Sequence, residues 1–472
     1  MTTKKLLPVL VSLFSIASAQ ASVDLIAIGK VSGTYEDLAV ETAPALESGV
    51  PGNILGGVGS AITYAGGNTF ISVPDRGPNA TPYNSAIDDT TSYIPRFQTF
   101  NLSLAPSQPG STLPYVLTPF LTKTTLLSSK TPLYYGNGAS ANVQNGAPAL
   151  NDRRTYYFSG RSDNFDPSKN SLFSGNARLD PEGVRVANDG KSVYFTDEYG
   201  PYVYQFDRAS GQRIGAYKLP TKFAVTKLSS KGDDEINNNT VGRVANKGME
   251  GLAITPDGRY LVGAMQSPLI QDGGTNAPYV RLVKIDIRTG ATREYAYELS
   301  NIGSASKPKY PTISEIVAIN DHEFLLDERD GKGLGDGSSA ASKRLYKIDL
   351  TNAQDVGAIE GATALASKAV GKTLFLDVVA ALNASGIPSD QIPAKLEGIT
   401  FGQQIEINGV KKQTLYIAND NDFLSSVGGI DNPNNFFVFS FDKADLPGFV
   451  AQAIKHDERC DDHDDDRDHN HR

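Results

Sequence analysis

The chain has 472 residues, room for one large repeat domain or two to three ordinary ones, and 39% of them are hydrophobic, enough for a substantial core. A formal net charge of −9 argues against nucleic acid and against anionic membrane surfaces as partners. The single cysteine, Cys460, excludes an intramolecular disulfide, and no stretch beyond the N-terminus approaches the ~20 apolar residues of a membrane-spanning helix.

Residues 1–21 read as an export signal. Lys4 and Lys5 precede the apolar run LLPVLVSLFSIA, and Ala17-Ser18-Ala19 or Ala19-Gln20-Ala21 offers a cleavage site. The expected mature protein is secreted or periplasmic, monomeric and not inserted in a membrane, with one folded domain over 22–455. A strand over Leu25–Val31 is expected to pair with the last unit of the chain.

Five similar units follow, each with Val/Ile/Tyr/Phe runs bounded by Gly, Asn, Asp or Pro. The first reads VGSAITYAGGNTFISVPDRGP, then FQTFNLSL and YVLTPFL. The second, Asp180–Leu219, is the most complete: GVRVA, SVYFTD, YVYQFD and RIGAYKL, with NDG and RASG as turns. The third holds GLAITPDGRYLVGAMQS and VRLVKIDIRTGATREYAYEL, the fourth ISEIVAINDHEFLLDERD and KRLYKIDL, and the fifth LEGITFGQ, QTLYIANDND and NFFVFSFD. Four antiparallel strands in about 40 residues is the size of one propeller blade. The predicted fold is all-β, a β-propeller of about five to seven four-stranded blades with long loop insertions. A pair of β-sandwiches is the alternative, and it leaves the acids described below unexplained. Residues 120–178, rich in Ser, Asn, Gly and Pro, hold either a divergent blade around Thr155–Gly160 or a long insertion. Helices are expected at Gly361–Val370 and Leu374–Asn383, the second capping one face. The tail 456–472, HDERCDDHDDDRDHNHR, holds four of the five histidines and is expected to be disordered, with at most loose metal scavenging.

Aligning the units on their first strand places Glu182, Glu250, Glu315 and Glu397 in one slot, with Gly59 in the first unit. At the end of the second strand Asp75, Asp197, Glu328 and Asp420 coincide, with Gln266 in the third unit. The first strand of a blade lines the central channel, so these side chains should converge near the axis. Several converging carboxylates repel and cost desolvation unless a cation neutralises them. Oxygen ligands without Cys or His select Ca²⁺, or Mg²⁺. Plain turn capping by each acid is the structural alternative. Arg76 and Arg329 stand beside two of these acids and are suited to clamp a phosphate or carboxylate, or else form local ion pairs. Arg161 and Lys247 are further basic candidates. His322, in the turn NDHEF, reads as structural, no G-x-S-x-G elbow is present, and GKGLGDG at 331–337 reads as a hairpin loop rather than a phosphate cradle.

The set SVPDRGP (72–78), LDPEGVRV with TDEYGPYVYQFD, KGMEGLAITPDGRYLVGAMQSPL, FLLDERD, and LEGITF with NDNDF (419–423) resembles the phytase-like domain family, also called "esterase-like activity of phytase", in the family's order over roughly 55–445. The resemblance implies an exported propeller that hydrolyses phosphate or carboxylic esters. It also implies a polar cluster of Asp75, Arg76, Asp180, Glu182, Asp197, Glu198, Glu250, Glu328, Arg329, Glu397, Asp420 and Asp422. With the phase alignment, Asp75, Asp180, Asp197, Glu328, Glu397 and Asp420 are the expected ligands of a calcium ion. Glu182, Glu250, Arg76 and Arg329 are the expected catalytic groups, with Glu198, Glu315 and Asp422 around them. A small-molecule ester is the expected partner. The leading expectation is calcium-dependent phosphoric ester hydrolysis. Carboxylic ester or lactone hydrolysis on the same scaffold, and a ligand-binding propeller without turnover, are the alternatives.

Overall fold

A computed structural model describes residues 23–80, 89–138 and 143–455. The expected signal 1–21 and the tail 456–472 lie outside the described residues. Five antiparallel sheets account for the repeat units. The first blade holds Ala61–Tyr64, Thr69–Val73, Arg96–Pro106 and Tyr115–Leu126. The second holds Pro181–Val186, Ser192–Asp197, Tyr202–Asp207 and Arg213–Lys218. The third holds Met249–Ile254, Tyr260–Met265, Tyr279–Asp286 and Thr292–Glu298, with Ala369–Val370 added in parallel at its outer edge. The fourth holds Thr312–Ala318, Glu323–Arg329, Lys343–Asp349 and Lys372–Asp377. In the fifth, Lys395–Phe401, Val410–Asp420 and Asn434–Phe441 are completed by Asp24–Val31, which pairs antiparallel with Asn434–Phe441. The N-terminal strand therefore closes the ring, as expected, and the first strands of neighbouring blades pack side by side around one axis. Closure removes the open sheet edges that would otherwise template association.

Because each blade is sandwiched between two others, its strands are apolar on both faces. Val193 and Phe195 enter the seam with the first blade, and Tyr194 between them enters the seam with the third. Five such seams form the core, each burying side chains worth roughly 1.5–3 kcal/mol apiece. Residues 127–178 form a long insertion between the first two blades and, among the described residues, carry two short strand pairs and no blade of their own.

One helix expectation is corrected. Lys372–Asp377 is the outer strand of the fourth blade, and only Val378–Ala384 is helical. The Asp377 carboxylate accepts a hydrogen bond from Ala380 N at 3.0 Å and caps the helix start. Its apolar side chains Val378, Val379 and Leu382 join Phe375 and Leu376 in the seam between the fourth and fifth blades, so it fills a seam rather than covering a face. The other expected helix is likewise shorter, Ala362–Ala366, followed by the edge strand Ala369–Val370. Among the described residues no helix is long and apolar enough to cross a membrane.

The channel is stopped in the middle. Arg185 points to the axis and donates to the carbonyl oxygens of Ile62 (3.0 Å), Ile316 (2.8 Å), Ile399 (3.2 Å) and its own Val184. Its Nη2 also pairs with Glu315 at 3.1 Å, and Glu315 accepts from Leu252 N at 2.9 Å. The pair thereby links all five blades. At the far end of the channel the segment after the last strand crosses the face: Phe449 packs on Phe401, Val450 N donates to Ile319 O (2.9 Å), and Gln452 donates to Val186 O (2.8 Å). Among the described residues, the face on which the inner strands begin is left open.

Candidate active site

Every inner strand of blades two to five carries a β-bulge near its start, between Pro181 and Val184, Met249 and Gly251, Ile313 and Ile316, and Leu396 and Gly398. A bulge bends the strand and re-aims a side chain. The strand pairing aligns Glu182, Glu250, Ser314 and Glu397 in one layer of the open face. The next position is Gly183, Gly251 and Gly398 in three blades, for a steric reason. A Cβ on Gly251 would stand 2.8 Å from Glu315 Cα, one on Gly183 2.8 Å from Glu250 O, and one on Gly398 2.9 Å from Ala61 C. The fourth blade places Glu315 there, and its side chain turns to Arg185 at the axis. Glu315 is therefore one residue out of phase with the other three acids and does not belong to the open-face site.

The layer from the second strands shows the same one-residue correction. The pairing aligns Glu198, Gln266, Arg329 and Asp420, not Asp197 and Glu328. A slip of one residue sends a strand side chain to the opposite face. Asp197 accepts from Asp180 N (3.2 Å) and Tyr199 N (3.0 Å), so it braces the Asp180 turn from behind. Glu328 faces the seam with the third blade, where it accepts from Tyr297 Oη, Ser300 N and Lys372 Nζ. Neither is placed to share an ion with the others.

The remaining predicted residues do meet. A cavity of about 560 Å³ on the open face is lined by Asp75, Arg76, Glu182, Glu198, Glu250, Arg329, Glu397 and Asp420, with Lys247, Gln266, Lys309, Lys332 and Lys395. Its wall is divided. On the second blade, Asp180, Glu182 and Glu198 each bring one carboxylate oxygen to within 4.8 Å of the others. Asp180 lies close to Glu182, and Glu198 to Glu250, and acids this close need a shared proton or an intervening cation. Burial first, and then the charge of Glu250 on Glu182 and of Glu198 on Glu250, hold these two carboxyls well above the usual carboxylate range. Asp180 is pushed up to about 7, chiefly by burial. Its Oδ1 accepts from Arg76 N at 3.0 Å, whereas no donor reaches its buried Oδ2 or the buried Oε2 of Glu250. Glu250 Oε1 accepts from Gln266 Nε2 (2.7 Å), whose Oε1 accepts from Lys247 Nζ (3.1 Å).

On blades one and five the acids are already paired. Lys395 Nζ donates to Asp420 Oδ2 (2.8 Å) and to Asp422, Arg329 donates to Glu397 and to Ser314 Oγ (2.7 Å), and Arg76 Nη1 lies 3.4 Å from Asp75 Oδ2. Asp75 and Glu397 are still pushed up to about 7 by burial, with the Asp420 charge adding to both.

The fit to a hard divalent cation is decided on the first side. Four acids there, Asp180, Glu182, Glu198 and Glu250, gather near Arg76 and Lys247, with Arg243 acting on Glu198 and Arg329 on Glu250. All donors are carboxylate oxygens and two of them lack partners, so the residues fit Ca²⁺ or Mg²⁺. Lys395, Lys309 and Lys332 are cavity residues that sequence reasoning missed. Lys395 was readable in principle, because it occupies the register position of Asp180, two residues ahead of the Glu-Gly pair. Arg161, by contrast, forks onto Asp163 (2.8 and 2.7 Å) and does not line the cavity. His322 is bound in its turn by Asp349 at 3.0 Å.

Fold and face together define a five-bladed β-propeller with an acid-rich, cation-rimmed cavity at one end of a plugged channel. The chain belongs to the phytase-like family, "esterase-like activity of phytase", whose model matches residues 53–423. It is 33% identical over 178 residues to an uncharacterized secreted protein of Arthroderma benhamiae, a match covering 32% of this chain and 34% of that one. The chain thus spans about a third of the length of that relative. Among solved structures it is similar to the periplasmic gluconolactonase PpgL of Pseudomonas aeruginosa (11% identity, 88% and 99% of the two chains, TM-score 0.32). It is also similar to the glutaminyl cyclase of Myxococcus xanthus (11% identity, 89% and 100%, TM-score 0.33).

Proposed function

We propose that this chain is an exported, divalent-cation-dependent hydrolase of phosphoric esters working at the open face of the propeller. One observation carries the reading: a group of buried acids with two unpartnered oxygens shares a cavity wall with Arg76, Arg329, Lys247 and Lys395. Asp180, Glu182 and Glu198 would hold the cation, with calcium favoured over magnesium because the site gathers several carboxylates at once. When bound, such an ion supplies Lewis-acid polarisation of a phosphoryl oxygen and acidifies water. Arg76 and Arg329 bind the remaining phosphoryl oxygens and stabilise the charge that grows on them. Glu250 Oε2, free of donors and held above the ordinary carboxylate range, accepts the proton of the attacking water. A water oxygen–phosphorus bond forms and the phosphorus–ester oxygen bond breaks. The departing alkoxide takes a proton from solvent at the open mouth.

The cationic rim favours this reading over hydrolysis of neutral carboxylic esters or lactones, which have no anionic group for it to hold. The leader at 1–21 supports export. p-Nitrophenyl phosphate and p-nitrophenyl acetate, assayed side by side with calcium titrated after EDTA treatment, test the proposal. Calcium-restored turnover of the phosphate ester is expected, lost in Glu182→Gln. Full activity after chelation, or turnover of the acetate alone, contradicts it. Turnover of neither substrate at any calcium level leaves the binding-only reading in its place.

A further inference from the structure

The open face holds two groups of acids, and they are neutralised differently. The group on blades two and three has two oxygens, Asp180 Oδ2 and Glu250 Oε2, that no donor reaches, and its nearest ammonium, Lys247, is hydrogen-bonded to the amide of Gln266. The group on blades one and five, Asp75, Glu397, Asp420 and Asp422, is supplied with Lys395 and Arg329 and shares Arg76 with the first group. Lys395 is central to it. The strand pairing puts Lys395 opposite Asp420, and its ammonium reaches both Asp420 and Asp422. By register Lys395 is the counterpart in the fifth blade of Asp180 in the second, so the repeat has an ammonium at one site where it has a carboxylate at the other.

We infer that Lys395 acts as the resident cation of the second acid group, so that the face takes a single divalent ion, in the group on blades two and three. This rests on the proposed metal dependence. An ammonium has three N–H donors and two are committed to Asp420 and Asp422. The third is available to the cavity that Lys395 lines, where it serves an oxygen of the bound anion.

Native mass spectrometry of the full chain at saturating calcium tests the inference. The segment His456–Arg472 is rich in Asp and His and offers calcium ligands of its own, so ions of the face are assigned by difference from Glu182→Gln. Wild type is expected to carry one calcium more than Glu182→Gln. Lys395→Met is expected to carry one more than wild type, and to keep that extra ion when Glu182→Gln is added. A wild-type chain that loses one calcium on Glu182→Gln and a further one on Asp420→Asn overturns the inference while leaving the metal reading intact. No ion lost overturns the metal reading and the inference with it. A folded Lys395→Met chain with the wild-type count, and the wild-type shift in melting temperature between calcium and EDTA, overturns the inference alone. Should Lys395→Met not fold, the calcium count of Asp420→Asn against wild type still decides.

Discussion

At the level of single residues, the plug and the cavity use arginine in two ways. Arg185 is enclosed, and its guanidinium satisfies carbonyls of four blades and the Glu315 carboxylate. Removing one partner of a buried pair strands the other, at a cost of roughly 3–5 kcal/mol. Arg185→Met should therefore lower the urea-extrapolated stability by about that amount, and a loss below ~1 kcal/mol would show that the plug is not what joins the blades. Arg329 is held from behind by Glu397 and Ser314 Oγ but lines the cavity. A lysine cannot reproduce that fork. Arg329→Lys is expected to reduce kcat/KM for the phosphate ester by about 10²–10³, the scale for loss of one oriented donor at a developing charge. An unchanged kcat/KM would take Arg329 out of the site.

At the level of elements, strands and turns were legible because the apolar runs are bounded by NDG, PDG and RTG turns, and the N-terminal strand's place in the fifth blade followed from ring closure. Phase was not legible. Counting residues from each Glu-Gly ignores where the bulge falls, and in the fourth blade the Glu is followed by Ile316 instead of glycine. That displaced Glu315, and the same one-residue error exchanged Glu198 for Asp197 and Arg329 for Glu328. The sequence pattern around 374–383 misled because a strand ends and a helix begins inside one apolar run, with Asp377 as the boundary. The glycines of the inner strands are consequently packing residues, placed against the next blade. Gly251→Ala should cost roughly 1–3 kcal/mol, the range for overpacking, measured by urea unfolding. Gly371, where a Cβ would meet nothing, serves as the comparison and should tolerate alanine. Equal effects at the two positions would contradict the close approach of the inner strands.

For the whole molecule, the buried acids predict a stability that depends on pH and, under the proposed metal binding, on cation as well. Asp75, Asp180, Asp197, Glu315 and Glu397 are all pushed up to about 7, chiefly by burial. A folded-state value above the unfolded one means the native state binds more protons between about pH 4 and 7. The contribution is fully present below the unfolded value near 4 and is lost as pH rises through about 7. The chelated protein should therefore melt at a higher temperature at pH 5 than at pH 8. A bound cation requires the ionised acids, so calcium should raise the melting temperature more at pH 8 than at pH 5. A chelated protein that is more stable at pH 8 would mean the acids are ionised and compensated within the protein itself.

The central claim is that carboxylates from the second and third blades surround one hard cation on the open face. An anomalous-scattering map from crystals soaked in manganese, as a stand-in for the native ion, tests it most directly. The predicted map has one strong peak bounded by Asp180, Glu182 and Glu198, within reach of Glu250. A map with no density there, or with its only peak beside Asp420 and Asp422, contradicts the account.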